Sequence, residues 1–473
     1  MIESEVIAMK KMTAAVLAAL LMSPLGTSFY AACEAASTDL RVSSASSQPL
    51  PPSPPPDGMP PQGMPPQGGM GGFNPPQTVM QGTAKVTVTK AQTLTEKTYT
   101  STGSNENALR VKGATVTLKI SKIEKLGGTS SSTEGGDFYG MNAAVLATDG
   151  AALTVEDTAI TSNAPNGNAL FSYGKGTKVS AQNVTIHTTG RNSGGLQTTG
   201  GASMKAVDVK VLTEGDSAAA IRSDRGGGTV RVTGGTFETK GHGSPAIYST
   251  ADIAVTGAAL RAAHSEGAVI EGKNSISLTD CSLEGAMDES RLMGPKTIQE
   301  ENTQGIMIYQ SMSGDAEEGK STFSMVGGSL MVHKGDVIYV TNTKCRIFLD
   351  HVDIKQEEAQ KALIRVSGNS ASRGWGKAGV NGGDAVITTK DQTLSGRIVT
   401  DTISKLDLTL GAGSTFTGST QIEENRAASK ADGTLSVTVE KGAVWDLTED
   451  SVVTQLVNHG TIHKNGHTLT VKK

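Results

Sequence analysis

Nine residues in the middle of the chain have side chains that could bind a ligand, and they recur at similar places in a repeated pattern. They are Arg222, Asp224, Arg225, Tyr248, Glu271, Lys273, Tyr309, Tyr339 and Arg365. A tyrosine offers a flat apolar ring with a polar tip, and a guanidinium group offers forked hydrogen bonds. Only 4% of the chain is aromatic, yet three of its 7 tyrosines belong to this set. An extended polysaccharide or peptide could therefore bind along these residues if the fold places them on one face.

Two carboxylates of the set could instead support catalysis. If Asp224 and Glu271 lie two stacked strands apart, roughly 10 Å separates them. That distance is at the outer limit for the carboxylate pair of an inverting glycosidase. Lys273 or Arg222 could act as the base of a β-elimination. Asp224, Glu271 and Lys273 are therefore the candidate catalytic residues of a polysaccharide lyase or a glycoside hydrolase.

The elements that must position these residues are short strands in an uneven repeat of about 25 residues. Each repeat opens with a run whose second residue is Val, Leu or Ile and whose third residue varies. The runs are 144–147, 169–172, 195–198, 220–223, 246–249, 269–272, 307–310, 337–340 and 363–366. In the second half of the repeats, period-2 strands follow, separated by breaks such as Asn183, Gly234, Asp280 and His351.

Successive repeats are expected to stack on one another, because no single repeat has enough apolar residues to bury a face alone. We therefore predict an all-β protein: a single parallel β-helix, or β-solenoid, over residues 78–383, followed by further β-helix coils and a cap over residues 384–473. In that cap, Trp445 is expected to cover the open end of the core. Three long loops, at 127–139, 287–305 and 369–383, interrupt the pattern, and long loops of a solenoid often gather on its binding face.

Side-chain alternation predicts where the candidate residues point. If the aliphatic second residue of each run faces the core, the third residue faces outward. The third residues are thus expected to form one outward column, about 25 Å long from Arg222 to Arg365. Its members from the set above are Arg222, Tyr248, Glu271, Tyr309, Tyr339 and Arg365. Asp224 and Lys273 are expected two residues further along, with Arg225 at the corner.

The N-terminal sequence predicts that the protein is exported from the cell. Residues 1–36 contain Lys10 and Lys11, then a short apolar run and small residues, which is the pattern of a secretory signal peptide. The run is too short for a permanent membrane span. Residues 37–77 are rich in Pro, Gly and Met and are expected to form a disordered linker. Cleavage near Ala35 and lipid attachment at Cys33 both stay open, so we expect a secreted or cell-surface protein.

Charge and composition limit the partners. The formal net charge is −4, with mixed signs and no long basic run, which argues against nucleic acid as the main partner. The low aromatic content, with abundant Val, Ile, Thr and Gly, fits narrow stacked strands better than an α/β core. We expect a monomer.

Several segments resemble a bacterial family of secreted, adhesin-like proteins. They are 102–109 (TGSNENAL), 138–145 (FYGMNAAV), 220–228 (AIRSDRGGG), 267–274 (GAVIEGKN) and 309–315 (YQSMSGD), and the Pro/Gly/Met-rich leader is similar too. The resemblance covers nearly everything after residue 78. It implies a right-handed parallel β-helix with a pectin-lyase-like fold, a handedness that the repeats alone do not give. It implies little chemistry.

Two short motifs are similar to signatures of pectin-degrading enzymes on this fold. Gly241-His242-Gly243 resembles one polygalacturonase motif, but the paired aspartates that accompany it are absent. Leu349-Asp350-His351 is similar to a pectate-lyase signature, but without an acidic cluster to bind Ca²⁺. His264 and His333 have no partners at metal-ligand spacing in the sequence. No metal and no other cofactor is therefore predicted, and Ca²⁺ stays open without a set of residues to support it.

Three functions follow from these observations. The first is an adhesin-like protein that binds a glycan or another cell-surface macromolecule along the outward column. The second is a lyase or hydrolase that acts on an acidic polysaccharide. The third is a passive envelope spacer, which predicts no saturable ligand.

Overall fold

Strands make up nearly all regular structure in the computed structural model, which describes residues 78–293 and 296–472. The predicted signal peptide (1–36), the predicted linker (37–77) and Cys33 lie outside these residues. Over the described ranges the chain forms one α-helix, α1 (Thr133–Tyr139), and 43 strands. The all-β fold class predicted from the repeats is confirmed.

The strands are short, as period-2 runs between Gly, Asn, Asp and Ser breaks predict. Up to residue 285 they are β1 (Thr83–Val88), β2 (Gln92–Thr95), β3 (Thr98–Ser101), β4 (Glu106–Lys112), β5 (Thr115–Lys119), β6 (Lys122–Lys125), β7 (Val145–Thr148), β8 (Ala152–Glu156), β9 (Ala159–Ser162), β10 (Leu170–Tyr173), β11 (Lys178–Gln182), β12 (Thr185–Thr188), β13 (Leu196–Thr199), β14 (Ala202–Val207), β15 (Lys210–Thr213), β16 (Ile221–Ser223), β17 (Gly228–Thr233), β18 (Thr236–Thr239), β19 (Ile247–Ser249), β20 (Asp252–Thr256), β21 (Ala259–Ala262), β22 (Ala268–Glu271), β23 (Ser275–Thr279) and β24 (Ser282–Gly285). The later strands are β25 (Ser290–Met293), β26 (Lys296–Gln299), β27 (Gln304–Tyr309), β28 (Lys320–Val326), β29 (Ser329–Val332), β30 (Asp336–Thr341), β31 (Lys344–Asp350), β32 (Asp353–Gln356), β33 (Ala362–Val366), β34 (Asp384–Lys390), β35 (Thr393–Asp401), β36 (Lys405–Leu410), β37 (Thr415–Glu423), β38 (Thr434–Val439), β39 (Val444–Leu447), β40 (Ser451–Val453), β41 (Gln455–Asn458), β42 (Thr461–His463) and β43 (Leu469–Val471).

Three large parallel sheets contain almost all of these strands. Within the described residues, sheet A has 15 strands, in the order β1-β4-β7-β10-β13-β16-β19-β22-β27-β30-β33-β35-β37-β39-β42. Sheet B has 14, β2-β5-β8-β11-β14-β17-β20-β23-β28-β31-β34-β36-β38-β41, and sheet C has 10, β3-β6-β9-β12-β15-β18-β21-β24-β29-β32. The chain thus passes from A to B to C and returns to A one layer further on, which is compatible with the predicted parallel β-helix.

Two small sheets and the end of sheet C complete the topology. Strands β25 and β26 form an antiparallel hairpin, and β40 pairs with β43 in parallel. Sheet C ends at β32, so the described chain after residue 383 continues in sheets A and B and in the β40–β43 pair. The described coils after residue 383 therefore have no strand in sheet C.

A residue with left-handed backbone begins the turn from sheet B to sheet C in successive layers. These corner residues are Ile120, Asp157, Asn183, Asp208, Gly234, Gly257, Asp280, Gly327 and His351, with φ between 47° and 65°. Glycine adopts this conformation freely, and Asn and Asp tolerate it better than other residues do. The breaks seen in the sequence at Asn183, Gly234, Asp280 and His351 are therefore the corners between two sheets.

One hydrophobic core runs through the stacked layers. Its members include Ile221, Ile247, Ile270, Ile308 and Ile338, which confirms that successive repeats share a core. Trp445 is fully buried in the same core and stacks on Phe416 with ring centroids 5.6 Å apart. It does not close the core by itself, however, because Ile462 of β42 pairs beyond it and packs on the core from outside.

The three predicted loops contribute residues to the outer face of sheet A. The first contains α1, and Thr199 of β13 donates a hydrogen bond of 2.7 Å to the carbonyl oxygen of Phe138. The second contains the β25–β26 hairpin. The third places Trp375 against Tyr309 of β27. The outer face of sheet A is therefore partly covered by loops rather than open along its length.

Candidate functional site

The nine predicted residues lie on the outer face of sheet A or at its edge, but their register differs from the predicted column. Arg222 pairs with Tyr248, as predicted, but Tyr248 pairs with Val269 and not with Glu271. Val269 then pairs with Met307, and Met307 pairs with Tyr339. The sequence alignment is wrong by two residues at this repeat. Because side chains alternate with period two, a shift of two residues keeps them on the same face, so the error moves the column without turning it inward.

Glu271 and Tyr309 belong to a second outward column, two residues further along the strands. Glu271 pairs with Tyr309, which pairs with Thr341. The carboxylate of Glu271 accepts hydrogen bonds from the hydroxyl groups of Tyr248, Tyr309 and Ser311, the one from Tyr309 measuring 3.1 Å. Glu271 is only 1% exposed. This candidate catalytic carboxylate is therefore enclosed by three hydroxyl donors.

Burial keeps the two tyrosines of this network protonated. Removal from water raises the pKa of Tyr248 and of Tyr309 well above the usual value, and the nearby charge of Glu271 raises both further. Their hydroxyl oxygens are 3.4 Å apart. Both hydroxyls therefore act as donors to Glu271 across the whole physiological pH range.

Asp224 forms a buried ion cluster with Arg222. The Nε atom of Arg222 lies 2.7 Å from Oδ2 of Asp224, and its Nη2 atom lies 3.2 Å from Oδ2 of Asp137 in α1. Gln197 donates a further hydrogen bond of 3.1 Å to Asp224. Burial raises the pKa of Asp224 to about 7; the charge of Arg222 opposes this shift and the charge of Asp137 adds to it. Asp224 and Glu271 are thus both buried and both engaged by protein groups.

The remaining cations of the predicted set are paired with carboxylates. Arg225 lies 2.7 Å from Asp315 and holds its guanidinium 4.2 Å from the ring centre of Phe138. Arg365 lies 2.8 Å from both Asp336 and Glu423, and Lys273 contacts Glu317.

Tyr339, the last residue of the predicted set, is buried, which raises the pKa of its hydroxyl to about 12. The predicted open ladder of ligand-binding side chains is therefore largely covered and internally paired.

A cavity that the sequence does not predict lies beside Tyr248 and Tyr309. Its volume is about 110 Å³. Its apolar wall includes Tyr248, Val269, Met307, Tyr309 and Trp375, which pack together. The rings of Tyr309 and Trp375 are 4.8 Å apart at 57°, in a tilted contact. We call this cavity the sheet A cleft.

Charged groups form the other wall of the cleft. Glu300 lies 2.8 Å from Nε of Arg291 and 3.2 Å from Nη1 of Arg373. The guanidinium of Arg373 is also 4.4 Å from the ring centre of Trp375. Glu266 accepts hydrogen bonds of 2.7 Å from Ser265 and 2.8 Å from Gln304. The cleft therefore combines aromatic surface with charged groups that already have partners to hold them in place.

Two histidines and an aspartate meet at the rim of the cleft. The Nδ1 atom of His264 lies 2.8 Å from Oδ2 of Asp288, and that of His242 lies 3.4 Å from the same oxygen. The two imidazole rings are 4.9 Å apart at 31°. The sequence-based statement that His264 lacks partners at metal spacing is therefore wrong, since one ligand atom from each of the three residues lies within 4.8 Å of the others.

A signal for this group was present in the repeats. His242 follows β18, His264 follows β21 and Asp288 follows β24, and these three strands are neighbours in sheet C. The three residues thus occupy the same corner of three successive layers. A second group of this kind consists of Asp350, His351 and Asp391, where Lys390 already lies 3.2 Å from Asp350.

Comparison of the chain with family models, with curated proteins and with solved structures finds no match in any of the three. Among the described residues, no helix has both the length and the apolar character needed to cross a membrane. The site must therefore be interpreted from its own geometry.

Proposed function

We propose that this protein is an exported, right-handed parallel β-helix that binds a carbohydrate in the sheet A cleft. The repeated strand order A, B, C supports the β-helix, and the sequence resemblance supports its handedness and its secreted or cell-surface location. The observation that carries the binding function is one cavity that contains the rings of Tyr248, Tyr309 and Trp375 beside charged hydrogen-bonding groups.

This combination suits a sugar. The C–H faces of a pyranose pack on aromatic rings, and its hydroxyl groups pair with carboxylates and guanidinium groups. Ligand sites are typically concave and largely apolar, with a few fixed polar groups that orient the ligand. Here Glu266, Glu300, Arg291 and Arg373 supply those polar groups. The proposed ligand therefore binds at Tyr248 and Tyr309, in the middle of the column predicted from the sequence rather than along all of it.

The charges of the cleft favour a neutral sugar over an acidic one. Arg291 and Arg373 both contact Glu300, so one carboxylate already compensates part of their charge. Glu266 supplies a second carboxylate, so the two arginines and the two glutamates of the lining have no formal net charge. The cleft therefore has no surplus positive charge to attract an anionic glycan. A neutral glycan therefore fits the cleft better than the acidic polysaccharide considered from the sequence.

A glycan array probed with the full chain, followed by calorimetry on each hit, tests the proposal. Y248A and W375A are expected to weaken binding by more than about tenfold, because each removes an aromatic surface at the centre of the site. Y173A is the matched control: Tyr173 also lies on the outer face of sheet A, but it packs on Leu146 and Phe171 outside the cleft. Unchanged binding by both Y248A and W375A would show that the ligand binds elsewhere.

Glycoside hydrolysis is a second candidate, favoured by one observation. Glu266 and Glu300 both line the cleft, and most glycosidases act through two carboxylates that flank the scissile bond. A reducing-end assay on neutral oligosaccharides, with E266Q and E300Q as variants, separates the two functions. Activity that both variants lose supports an enzyme, whereas binding without any product supports a lectin-like protein.

A further inference from the structure

The corner where sheet C returns to sheet A carries a metal-ligand set in three successive layers. His242, His264 and Asp288 present two imidazole nitrogens and one carboxylate oxygen within 4.8 Å of one another. In a tetrahedral zinc site with bonds of 2.0–2.1 Å, neighbouring ligand atoms are about 3.3 Å apart. The distances from Nδ1 of His264 and of His242 to Oδ2 of Asp288, 2.8 and 3.4 Å, bracket that value.

Groups outside the set hold two of these three residues in place. Lys334 lies 2.5 Å from Oδ1 of Asp288, which orients the carboxylate and leaves Oδ2 directed at the imidazoles. The backbone N–H of His242 donates a hydrogen bond of 2.9 Å to Asp216. Partners of this kind, outside the ligand shell, fix the direction of metal ligands and raise affinity. The carboxylate of Asp288 and the backbone of His242 are therefore held by groups outside the set.

One nitrogen of the set has no hydrogen bond. Nδ1 of His242 is buried, and although it lies 3.4 Å from Asp288 it makes no hydrogen bond to any described group. A buried polar atom without a partner costs free energy. A cation bound between Nδ1 of His242, Nδ1 of His264 and Oδ2 of Asp288 would remove that cost, because the lone pair of the nitrogen would then be used.

We propose that His242, His264 and Asp288 bind a divalent transition-metal ion, of which Zn²⁺ is the best match. Two imidazoles and one carboxylate suit zinc, whereas calcium and magnesium prefer ligand sets made of oxygen. Three protein ligands leave a fourth position for water or for a ligand hydroxyl group, as in zinc sites that are not purely structural. Since His242, His264 and Asp288 also line the sheet A cleft, that position lies beside the proposed sugar site. The metal site stands on its own residues and does not depend on the carbohydrate proposal.

Calorimetric titration of the full chain with Zn²⁺, and visible absorption after loading with Co²⁺, test this site. Wild-type protein is expected to bind Zn²⁺ and to give the d–d absorption of a four-coordinate Co²⁺ site. H264A and D288N are expected to weaken Zn²⁺ binding by more than about tenfold and to abolish that spectrum. The asparagine in D288N has nearly the same shape as the aspartate it replaces, and His264 is exposed. Neither substitution therefore removes core packing.

Two histidine variants serve as controls. His463 lies 2.6 Å from a single carboxylate, Asp446, so H463A should leave binding unchanged. H351N disrupts the group of Asp350, His351 and Asp391, the other described cluster of potential ligands. The proposal is overturned if wild-type protein binds no Zn²⁺, if H264A and D288N bind it as tightly as wild type, or if H351N alone removes the binding.

Discussion

The Nε atom of Arg222 lies 2.7 Å from Oδ2 of Asp224, two residues along the same segment, and both side chains are almost completely buried. Asp137 approaches the same guanidinium from α1. One buried cation thus faces two carboxylates. Burial alone lowers the pKa of Arg222, but the charges of Asp137 and Asp224 outweigh it and raise that pKa overall. Burial raises the pKa of Asp224 to about 7; the charge of Arg222 opposes this shift and the charge of Asp137 adds to it.

Asp224 should therefore make the stability of the protein depend on pH. In the unfolded chain an aspartate loses its proton near pH 4, whereas in the folded protein Asp224 keeps it to about pH 7. Its contribution to stability is fully present below about pH 4 and is lost as the pH rises to about 7, with a slope of at most about 1.4 kcal/mol per pH unit. D224N is expected to remove this slope. Urea denaturation at pH 4 to 8 measures it as the change in the free energy of unfolding with pH. D252N, at an exposed aspartate paired with Arg231, should retain it.

Glu271 should stabilise the fold through its three hydroxyl donors. E271A leaves the hydroxyl groups of Tyr248, Tyr309 and Ser311 without their acceptor, and we expect a loss of about 3 kcal/mol in the free energy of unfolding. E271Q keeps one carbonyl oxygen as an acceptor and should cost about 1 kcal/mol. E284A, at a partly exposed glutamate of β24, is the control and should change stability by less than about 0.5 kcal/mol. Equal stability of E271A and E284A would contradict the enclosed network.

Side-chain alternation made the core and its corners predictable. An aliphatic residue followed by a variable one specifies an inside and an outside in every repeat, and stacking then places Ile221, Ile247 and Ile338 in one core. Most corners were visible as well, because Gly, Asn and Asp adopt left-handed backbone at lower cost than other residues do; the corner at Ile120 has no such signal. These features depend on residues that are close in sequence, so a single sequence contains them.

The register and the covering loops were not predictable in the same way. Val269 and Glu271 lie on the same side of β22, so alternation cannot decide which of them follows Tyr248 in the column. The contact between Trp375 and Tyr309 depends on how residues 369–383 fold back, which no local pattern specifies. His242, His264 and Asp288 are individually unremarkable surface residues, and only the layer-by-layer alignment of the sheet C corner brings them together.

The two tryptophans of the chain should separate stability from ligand binding. Trp445 is fully buried and donates a hydrogen bond of 3.1 Å to the carbonyl oxygen of Gly418. W445A should therefore cost about 4 kcal/mol, the range of large-to-small changes in a core. Trp375 is partly exposed at the cleft, so W375A should cost less than about 1 kcal/mol while it weakens sugar binding. Thermal unfolding of both variants measures the difference, and a W375A protein as unstable as W445A would contradict a binding role for Trp375.

Lys125 provides a second pH-dependent contribution, of opposite sign to that of Asp224. It is completely buried in β6, where its ammonium group donates hydrogen bonds to the carbonyl oxygen of Gly103 and to Ser101. Burial lowers its pKa to about 8, and the nearby charge of Glu106 only partly opposes this shift.

Because the unfolded chain keeps the proton of Lys125 to about pH 10.4, the unfolded state binds more protons than the folded state between pH 8 and that value. Stability should therefore rise with pH over this window, by up to about 1 kcal/mol per pH unit. K125M should abolish the rise, whereas K122M, at an exposed lysine of the same strand, should retain it. Urea denaturation at pH 7.5 to 10 measures the free energy of unfolding of both variants. If the rise with pH persists in K125M, a group other than Lys125 causes it.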